Sequence, residues 1–243
     1  MPPDATPVEG LSRREILSLA VPIMISNVST PLLGLVDTAV VGHLPDPAYI
    51  GAVAMGALIF TFLFWGFGFL RMATTGLTSQ AQGAGDTREV RMSLGRSVLL
   101  AVGLGLLLIV LQRPIELIAF ALIEGSEHVE ALARDFFRIR LWSAPATLVN
   151  YALLGWFIGL GRTRVALLLQ LVLNLSNMLL DAGFVLLLHW DVRGVALGTV
   201  IAEYMAAAVG LVLASRQLQS LGGSWERAAL FDVQLLARTL RIN

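Results

Sequence analysis

Two aspartates stand inside apolar stretches of this sequence, and they carry its most distinctive chemistry. Asp37 lies in the stretch 16–43, and Asp181 lies in the stretch 164–189. A carboxylate inside a lipid bilayer costs at least about 2.5 kcal/mol, so such a group has to be paired, protonated or directed towards water. The two aspartates are therefore candidate binding groups for a proton or a cation.

Further polar side chains follow the same apolar stretches at helical spacing. The stretch 164–189 carries a polar ridge, whose members fall on one helix face at i, i+4, i+7 and i+11: Gln170, Asn174, Asn177 and Asp181. The next apolar stretch carries Thr199 and Glu203 at i and i+4. Contact of either polar face with lipid would cost free energy, so we expect both to face the interior of a helix bundle.

Depth along the predicted helices places these groups close together. Counted from the nearest predicted helix ends, Asp37, Asp181 and Thr199 lie six to eight residues inside. At 1.5 Å per residue they lie roughly 9 to 12 Å below the outer membrane surface, and Glu203 lies about 15 Å below it. The sequence therefore predicts one proton- or cation-binding pocket containing Asp37, Asn177, Asp181 and Thr199, with Glu203 added from its spacing.

Two carboxyl groups in a poorly hydrated pocket should not both be ionised near neutral pH, because desolvation and mutual repulsion oppose it. We therefore expect H⁺ as the coupling ion, with Na⁺ at Asp37 and Asp181 as an alternative that the sequence leaves open. Pro22 and Pro31 each remove a backbone donor from the first apolar stretch and allow it to bend. The hypothesis is that protonation moves this helix between straight and bent forms; otherwise the polar groups serve only to hold helices together.

The composition is that of a membrane protein with several spans. The mean hydropathy is +0.77 and only 14% of the residues are charged, which excludes an ordinary soluble domain of this length. The formal net charge is zero, so nothing indicates a nucleic-acid partner. The sequence has no cysteine, and its three histidines lack metal-ligand spacing, so no cofactor is predicted: His43, His128 and His189.

An all-α bundle of six membrane-spanning helices accounts for the apolar stretches, each close to the roughly 20 residues that a bilayer requires. The predicted spans are 16–43, 48–75, 92–112, 136–160, 164–189 and 194–215. They divide the chain into a cytoplasmic N-terminus (1–15), a six-helix lobe (16–215) and a cytoplasmic connector (216–243). Eleven arginines fall on the side of the termini and five on the other, which places both termini in the cytoplasm.

Three smaller features complete this prediction. Arg138 and Arg140 are counted among the five arginines of the outer side, just inside the fourth span. The apolar segment 114–123 is too short to cross a bilayer and is expected at the interface, whereas the polar stretch 74–85 is expected to line a cytoplasmic mouth or cap a helix. Two glycine pairs are spaced for close helix contact, which we interpret as packing: Gly155 with Gly159, and Gly194 with Gly198.

Several of these motifs together resemble the multidrug and toxic compound extrusion (MATE) family, in particular its DNA-damage-inducible protein F (DinF) branch. They are residues 34–37 with Gly42 and His43, the stretch 74–85, the turn 159–164 and the ridge 174–181. Members have two six-helix lobes and expel cationic or amphipathic compounds in exchange for H⁺ or Na⁺. The resemblance implies that Asp37, Asn177, Asp181 and Thr199 match the cation cluster of the N-terminal lobe, and that Pro22 matches the proline where the first helix bends.

The resemblance implies a secondary active efflux transporter of the cell inner membrane, with a small amphipathic or cationic substrate and membrane lipid as its partners. The chain has the length of one lobe, so a full cleft is expected to need a second lobe or a second copy. A lipid-linked saccharide flippase of the same superfamily is the alternative within transport. An intramembrane diaspartyl protease is disfavoured because Asp37 follows Val36, and Asp181 follows Leu180, outside the motifs of such proteases. We therefore do not expect an enzyme.

Overall fold

The structure is a computed structural model that describes residues 37–123 and 125–222, together with eight residues outside these ranges. Those eight are Leu17, Ala20, Val21, Met24, Ile25, Ser224, Trp225 and Leu230. Residues 37–41 are helical and form the described end of the first predicted span. The predicted bends at Pro22 and Pro31 lie outside the described residues.

Eight α-helices follow, and the all-α prediction is confirmed. They are α1 (Ala48–Trp65), α2 (Gly68–Gly83), α3 (Thr87–Val110), α4 (Gln112–Leu122), α5 (Glu127–Arg140), α6 (Ala144–Gly159), α7 (Thr163–Ala182) and α8 (Val192–Leu221). A 3-10 turn, Leu141–Ser143, joins α5 to α6, and a π-helical turn, Gly183–Leu187, ends α7. Within the described part of the chain, five helical segments are long and apolar enough to cross a membrane.

The second span consists of α1 and α2, which continue one another through a short break at Gly66 and Phe67. Together they run for 36 residues. A helix of that length measures about 54 Å, well beyond the roughly 30 Å of the hydrocarbon core. The polar end of α2 therefore extends past the hydrocarbon on one side.

One face of the polar end of α2 is packed against α3, whereas Ser79, Gln80 and Gln82 are exposed. The expectation that 74–85 lines a cytoplasmic mouth or caps a helix stays a prediction. Thr74 and Thr78 are fully buried. The Thr74 hydroxyl donates to Ser97 Oγ at 2.8 Å, and the Thr78 and Ser93 hydroxyls lie 3.1 Å apart. The contacts with serines of α3 explain why Thr74 and Thr78 are polar. Helical periodicity within α2 alone does not reveal these contacts.

Helix α6 is the centre of the bundle and packs against α2, α3, α7 and α8. Its side chains are buried on nearly every side, which is why its sequence is predominantly apolar and not amphipathic. Trp156 is fully buried, and its indole N–H donates to the Val90 carbonyl at 2.9 Å. Gly155 and Gly159 allow this packing, because added Cβ atoms would lie 2.5 Å from Arg71 O and 2.7 Å from Thr78 Cβ.

The short helix α4 is attached to α5 by a buried carboxylate. Its eleven residues confirm that this apolar segment is too short to span a bilayer. Glu116 is 3% exposed and accepts hydrogen bonds from both the Nε (3.1 Å) and Nη2 (2.7 Å) of Arg138. Arg134 lies 3.6 Å from the same carboxylate and 4.3 Å above the Phe120 ring. α5 is thereby held in the orientation that carries its last residue, Arg140, into the bundle.

Candidate functional site

The polar ridge of α7 faces the bundle interior, as its spacing predicts. Asn174, Asn177 and Asp181 are 3%, 1% and 0% exposed. Gln170 donates to Asn174 Oδ1 at 3.1 Å, which continues the ridge by one turn. The opposite face of α7 is apolar and exposed in the isolated chain, as a lipid-facing surface would be: Leu168, Leu175 and Leu179.

Asn177 joins α7 to α8 through its amide group. Its Nδ2 donates to Asp181 Oδ2 at 3.0 Å and to Thr199 Oγ1 at 3.3 Å. The Thr199 hydroxyl donates in turn to the Val195 carbonyl at 3.0 Å, so it accepts from Asn177. These bonds confirm the predicted proximity of Asn177, Asp181 and Thr199.

Asp37 and Asp181 come together from helices that are far apart in the sequence. Their side chains lie close enough to interact with each other. Two ionised carboxylates have no proton to share, so this contact becomes a hydrogen bond only when one of them is protonated. Oδ1 of each is buried and has no hydrogen-bond donor among the described residues. The pair is therefore a candidate site for one proton shared between two carboxyl groups.

Gly198 on α8 provides the space that the Asp181 carboxyl occupies. A Cβ added at Gly198 would lie 2.0 Å from Asp181 Oδ1 and 3.2 Å from Asp181 N. The sequence indicated only helix packing for Gly194 and Gly198. Gly194 does fit that interpretation, since its added Cβ would lie 3.0 Å from Trp190 Cβ. At Gly198 the packing partner is the Asp181 carboxyl itself.

Glu203 belongs to a separate polar contact with α6. Its Oε2 accepts from Asn150 Nδ2 at 2.7 Å, and the same nitrogen lies 3.0 Å from its backbone carbonyl. No hydrogen bond between Glu203 and the aspartate pair occurs in the part of the chain described here. The predicted single pocket is therefore two neighbouring groups, the Asp37–Asp181 pair and the Glu203–Asn150 pair.

Arg140 interacts with both of these groups, and the sequence did not assign it to the site. Its guanidinium carbon is 4.8 Å from the Phe60 ring centroid and 5.5 Å from that of Phe136. It interacts electrostatically with the acids of both groups, Asp37, Glu203 and Asp181. The available signal was that no acid lies three or four positions from Arg140, so any partner had to come from another helix.

A match to the MatE family model covers residues 22–182 and so includes Asp37, Asn177, Asp181 and Arg140. This chain belongs to the MATE family. Along the chain, the match extends from the first predicted span to the end of α7. The resemblance drawn from the motifs is thereby confirmed.

Individual MATE relatives support this assignment. The chain is 46% identical to DNA damage-inducible protein F of Escherichia coli over 215 residues, 88% of this chain and 47% of that protein. It is 27% identical over 203 residues to a probable multidrug resistance protein NorM of Thermotoga maritima, 81% of this chain and 43% of that protein. The chain thus spans about half the length of the curated relatives it matches.

The fold is that of one half of a MATE transporter. A structure described as the outward-facing conformation of a multidrug resistance MATE family transporter superposes with a TM-score of 0.82 at 22% identity. The superposition covers 94% of this chain and 51% of that one. The family is one of transporters and not of enzymes, which removes the diaspartyl protease, and none of these matches favours the saccharide flippase.

Proposed function

We propose that this chain is the N-terminal lobe of a proton-coupled efflux antiporter, and that the Asp37–Asp181 pair binds the coupling proton. The observation that carries the proposal is the contact between the two carboxyl groups inside the bundle. Asn177 stabilises Asp181 from one side, and Gly198 leaves room for it on the other. Thr199 fixes the position of Asn177, so the pair is held by residues of two neighbouring helices.

Proton binding at this pair would control the position of the first helix. With one proton, the two carboxyl groups attract through a hydrogen bond; without it, two negative charges in a poorly hydrated place repel each other. Residues 37–41 would therefore approach α7 when the site is protonated and withdraw when it is not. Pro22 and Pro31 supply the flexibility for the bend in this proposal, since each removes one backbone hydrogen bond from a helix.

The substrates proposed are small cationic or amphipathic compounds, in keeping with the multidrug names of the relatives. The transport pathway would lie between this lobe and a second one, supplied by further chain or by a second copy. We place the protein in the inner membrane, as the resemblance to its family implies, and both termini in the cytoplasm, from the distribution of arginines. H⁺ is preferred to Na⁺ because the contact between Asp37 and Asp181 calls for a proton.

The test is dye efflux from cells that express the protein from its gene, through to its own stop codon. Asp37→Asn and Asp181→Asn should each lower efflux driven by a pH gradient by about tenfold or more, because each removes one of the two proton-binding carboxyls. Asp86→Asn is the matched control. Asp86 is an exposed N-cap of α3, and asparagine caps a helix equally well.

Undiminished pH-driven efflux in Asp37→Asn, with normal amounts of protein in the membrane, would show that the pair is not the coupling site. If a Na⁺ gradient at constant pH drives efflux, the coupling ion is Na⁺ instead of H⁺. The Asp37–Asp181 pair then stays the proposed binding site.

A further inference from the structure

Arg140 is held in the bundle by aromatic rings. It is the last residue of α5, and its guanidinium lies against two rings, that of Phe60 of α1 and that of Phe136 one turn earlier on its own helix. Its Nε is buried and has no hydrogen-bond acceptor among the described residues. Such stacking fixes the position of a guanidinium without using up its charge on a carboxylate.

The positive charge of Arg140 interacts electrostatically with three acids from three different elements. Asp37 comes from the first predicted span, Asp181 from α7 and Glu203 from α8. No ion pair within 4 Å joins Arg140 to any of them in the described ranges. Arg140 is therefore a shared counter-charge at intermediate range, distinct from the partner in a salt bridge.

Other charged and titratable groups near Arg140 have interaction partners of their own. Tyr151 of α6 also interacts with it, and Tyr151 is itself within reach of Glu203 and Arg71. On α5, Asp135 is paired with Arg193 at 2.7 Å, and Arg138 is paired with Glu116. α1 faces Arg140 with the ring of Phe60.

A fixed positive charge beside the aspartate pair affects H⁺ and Na⁺ differently. A proton forms a covalent O–H bond with a single carboxyl oxygen, so it still binds when a nearby cation weakens its affinity. Na⁺ is held only by electrostatic attraction to several oxygens at once, and a neighbouring guanidinium opposes this directly.

We infer that Arg140 is the residue that makes this site selective for protons: its charge excludes Na⁺ from the Asp37–Asp181 pair and sets the pH range in which the pair exchanges a proton. The inference rests on the proposed function, because it assigns a determinant of ion choice to the proposed coupling site. Arg140 acts as a positioning charge and does not bind the coupling ion.

The test uses the purified protein, expressed to its own stop codon and placed in lipid nanodiscs. The first measurement is the infrared band of protonated carboxyl groups, titrated against pH; the second is binding of radioactive Na⁺ at alkaline pH. Arg140→Gln should move the carboxyl titration towards alkaline pH by about one unit or more, because a cation that favoured the carboxylates is lost. The same variant should bind Na⁺ at least about tenfold more tightly than the unaltered protein.

Two matched variants separate charge from packing. Arg140→Lys keeps the charge and should restore both the titration range and the exclusion of Na⁺. Arg134→Gln removes another arginine of α5 that also stacks on a phenylalanine, 4.3 Å above Phe120, and should alter neither measurement. Should Arg140→Gln fail to fold, Arg140→Met, which has an unbranched side chain and no charge, takes the place of Arg140→Gln in both measurements. Glu203→Gln shows whether the acid of the neighbouring pair contributes to the titration.

An Arg140→Gln or Arg140→Met protein with unchanged titration and no Na⁺ binding would overturn the inference. The proposed function fails in a different way. If the unaltered protein shows no carboxyl titration that Asp37→Asn or Asp181→Asn abolishes, the pair is not a proton site, whatever Arg140 does.

Discussion

Gly198 lies directly against the carboxyl group of Asp181, so close that an added Cβ would be 2.0 Å from Asp181 Oδ1. The two residues belong to α8 and α7, the helices that also contribute Thr199 and Asn177. The packing of α7 against α8 and the geometry of the aspartate pair therefore both depend on Gly198. A substitution at Gly198 changes both together.

Gly198→Ala should displace the Asp181 side chain and weaken α7–α8 packing by about 1–3 kcal/mol, because the added methyl overlaps a carboxyl oxygen. Thermal unfolding in detergent measures the stability, and the infrared titration of carboxyl groups measures the pair. Gly103→Ala is the control, since nothing lies within 4 Å of a Cβ at that position of α3. An Asp181 titration unaffected by Gly198→Ala would contradict the contact.

Asn177→Leu should destabilise the bundle by about 1–3 kcal/mol, because the buried Asp181 Oδ2 and the Thr199 hydroxyl lose their shared donor. The free energy of unfolding in detergent measures the loss. Ser176→Ala is a suitable comparison, since among the described residues the Ser176 hydroxyl bonds only within its own helix, to Val172 and Leu173. Equal losses in the two variants would show that Asn177 contributes no more than a local contact.

Glu116→Gln should loosen α4 from α5, because Arg138 and Arg134 lose the negative charge that holds both of them. Arg138 is 44% exposed, so the cost is discounted for solvent to about 1–2 kcal/mol. The midpoint of thermal unfolding reports it. Glu127→Gln, at an exposed position in the first turn of α5, should leave that midpoint almost unchanged.

The loop before α1 should show a pH dependence in the acid range. The Ala48 backbone N–H and then the His128 ring hold the pKa of Asp46 below its usual value of 3.8. A lowered pKa means that the stabilisation is present above the ordinary value and is lost as pH falls through the lower, folded value. Unfolding temperatures from about pH 6 to about pH 3 should therefore fall more steeply in the unaltered protein than in Asp46→Asn.

His128→Gln tests the order of these two causes. Because the Ala48 N–H is the larger one, this variant should keep most of the acid-range dependence. A pH profile in His128→Gln as flat as that of Asp46→Asn would assign the effect to the histidine.

The helical spacing of the α7 ridge was enough to predict which of its faces is buried. A polar side chain on a membrane-spanning helix costs free energy in contact with lipid, so it points towards the interior of the bundle. Asn174, Asn177 and Asp181 all point inwards as expected. Depth counting also brought Asp37 and Thr199 to the right level, since the rise per residue of a helix is constant. The roles of these residues in ion binding, and the bends at Pro22 and Pro31, stay predictions.

The sequence by itself determined the helical class, the membrane spans and the inward faces, because each depends on hydrophobic periodicity within one segment. Only the tertiary structure decided that Glu203 pairs with Asn150, that Gly198 makes room for Asp181, and that Arg140 stands among three acids. Those relationships join different helices, whose rotation and distance follow from packing throughout the bundle. Hydrophobic periodicity gives the direction in which a side chain points from the axis of its helix. The packing of the helices determines which residues the side chain contacts in that direction.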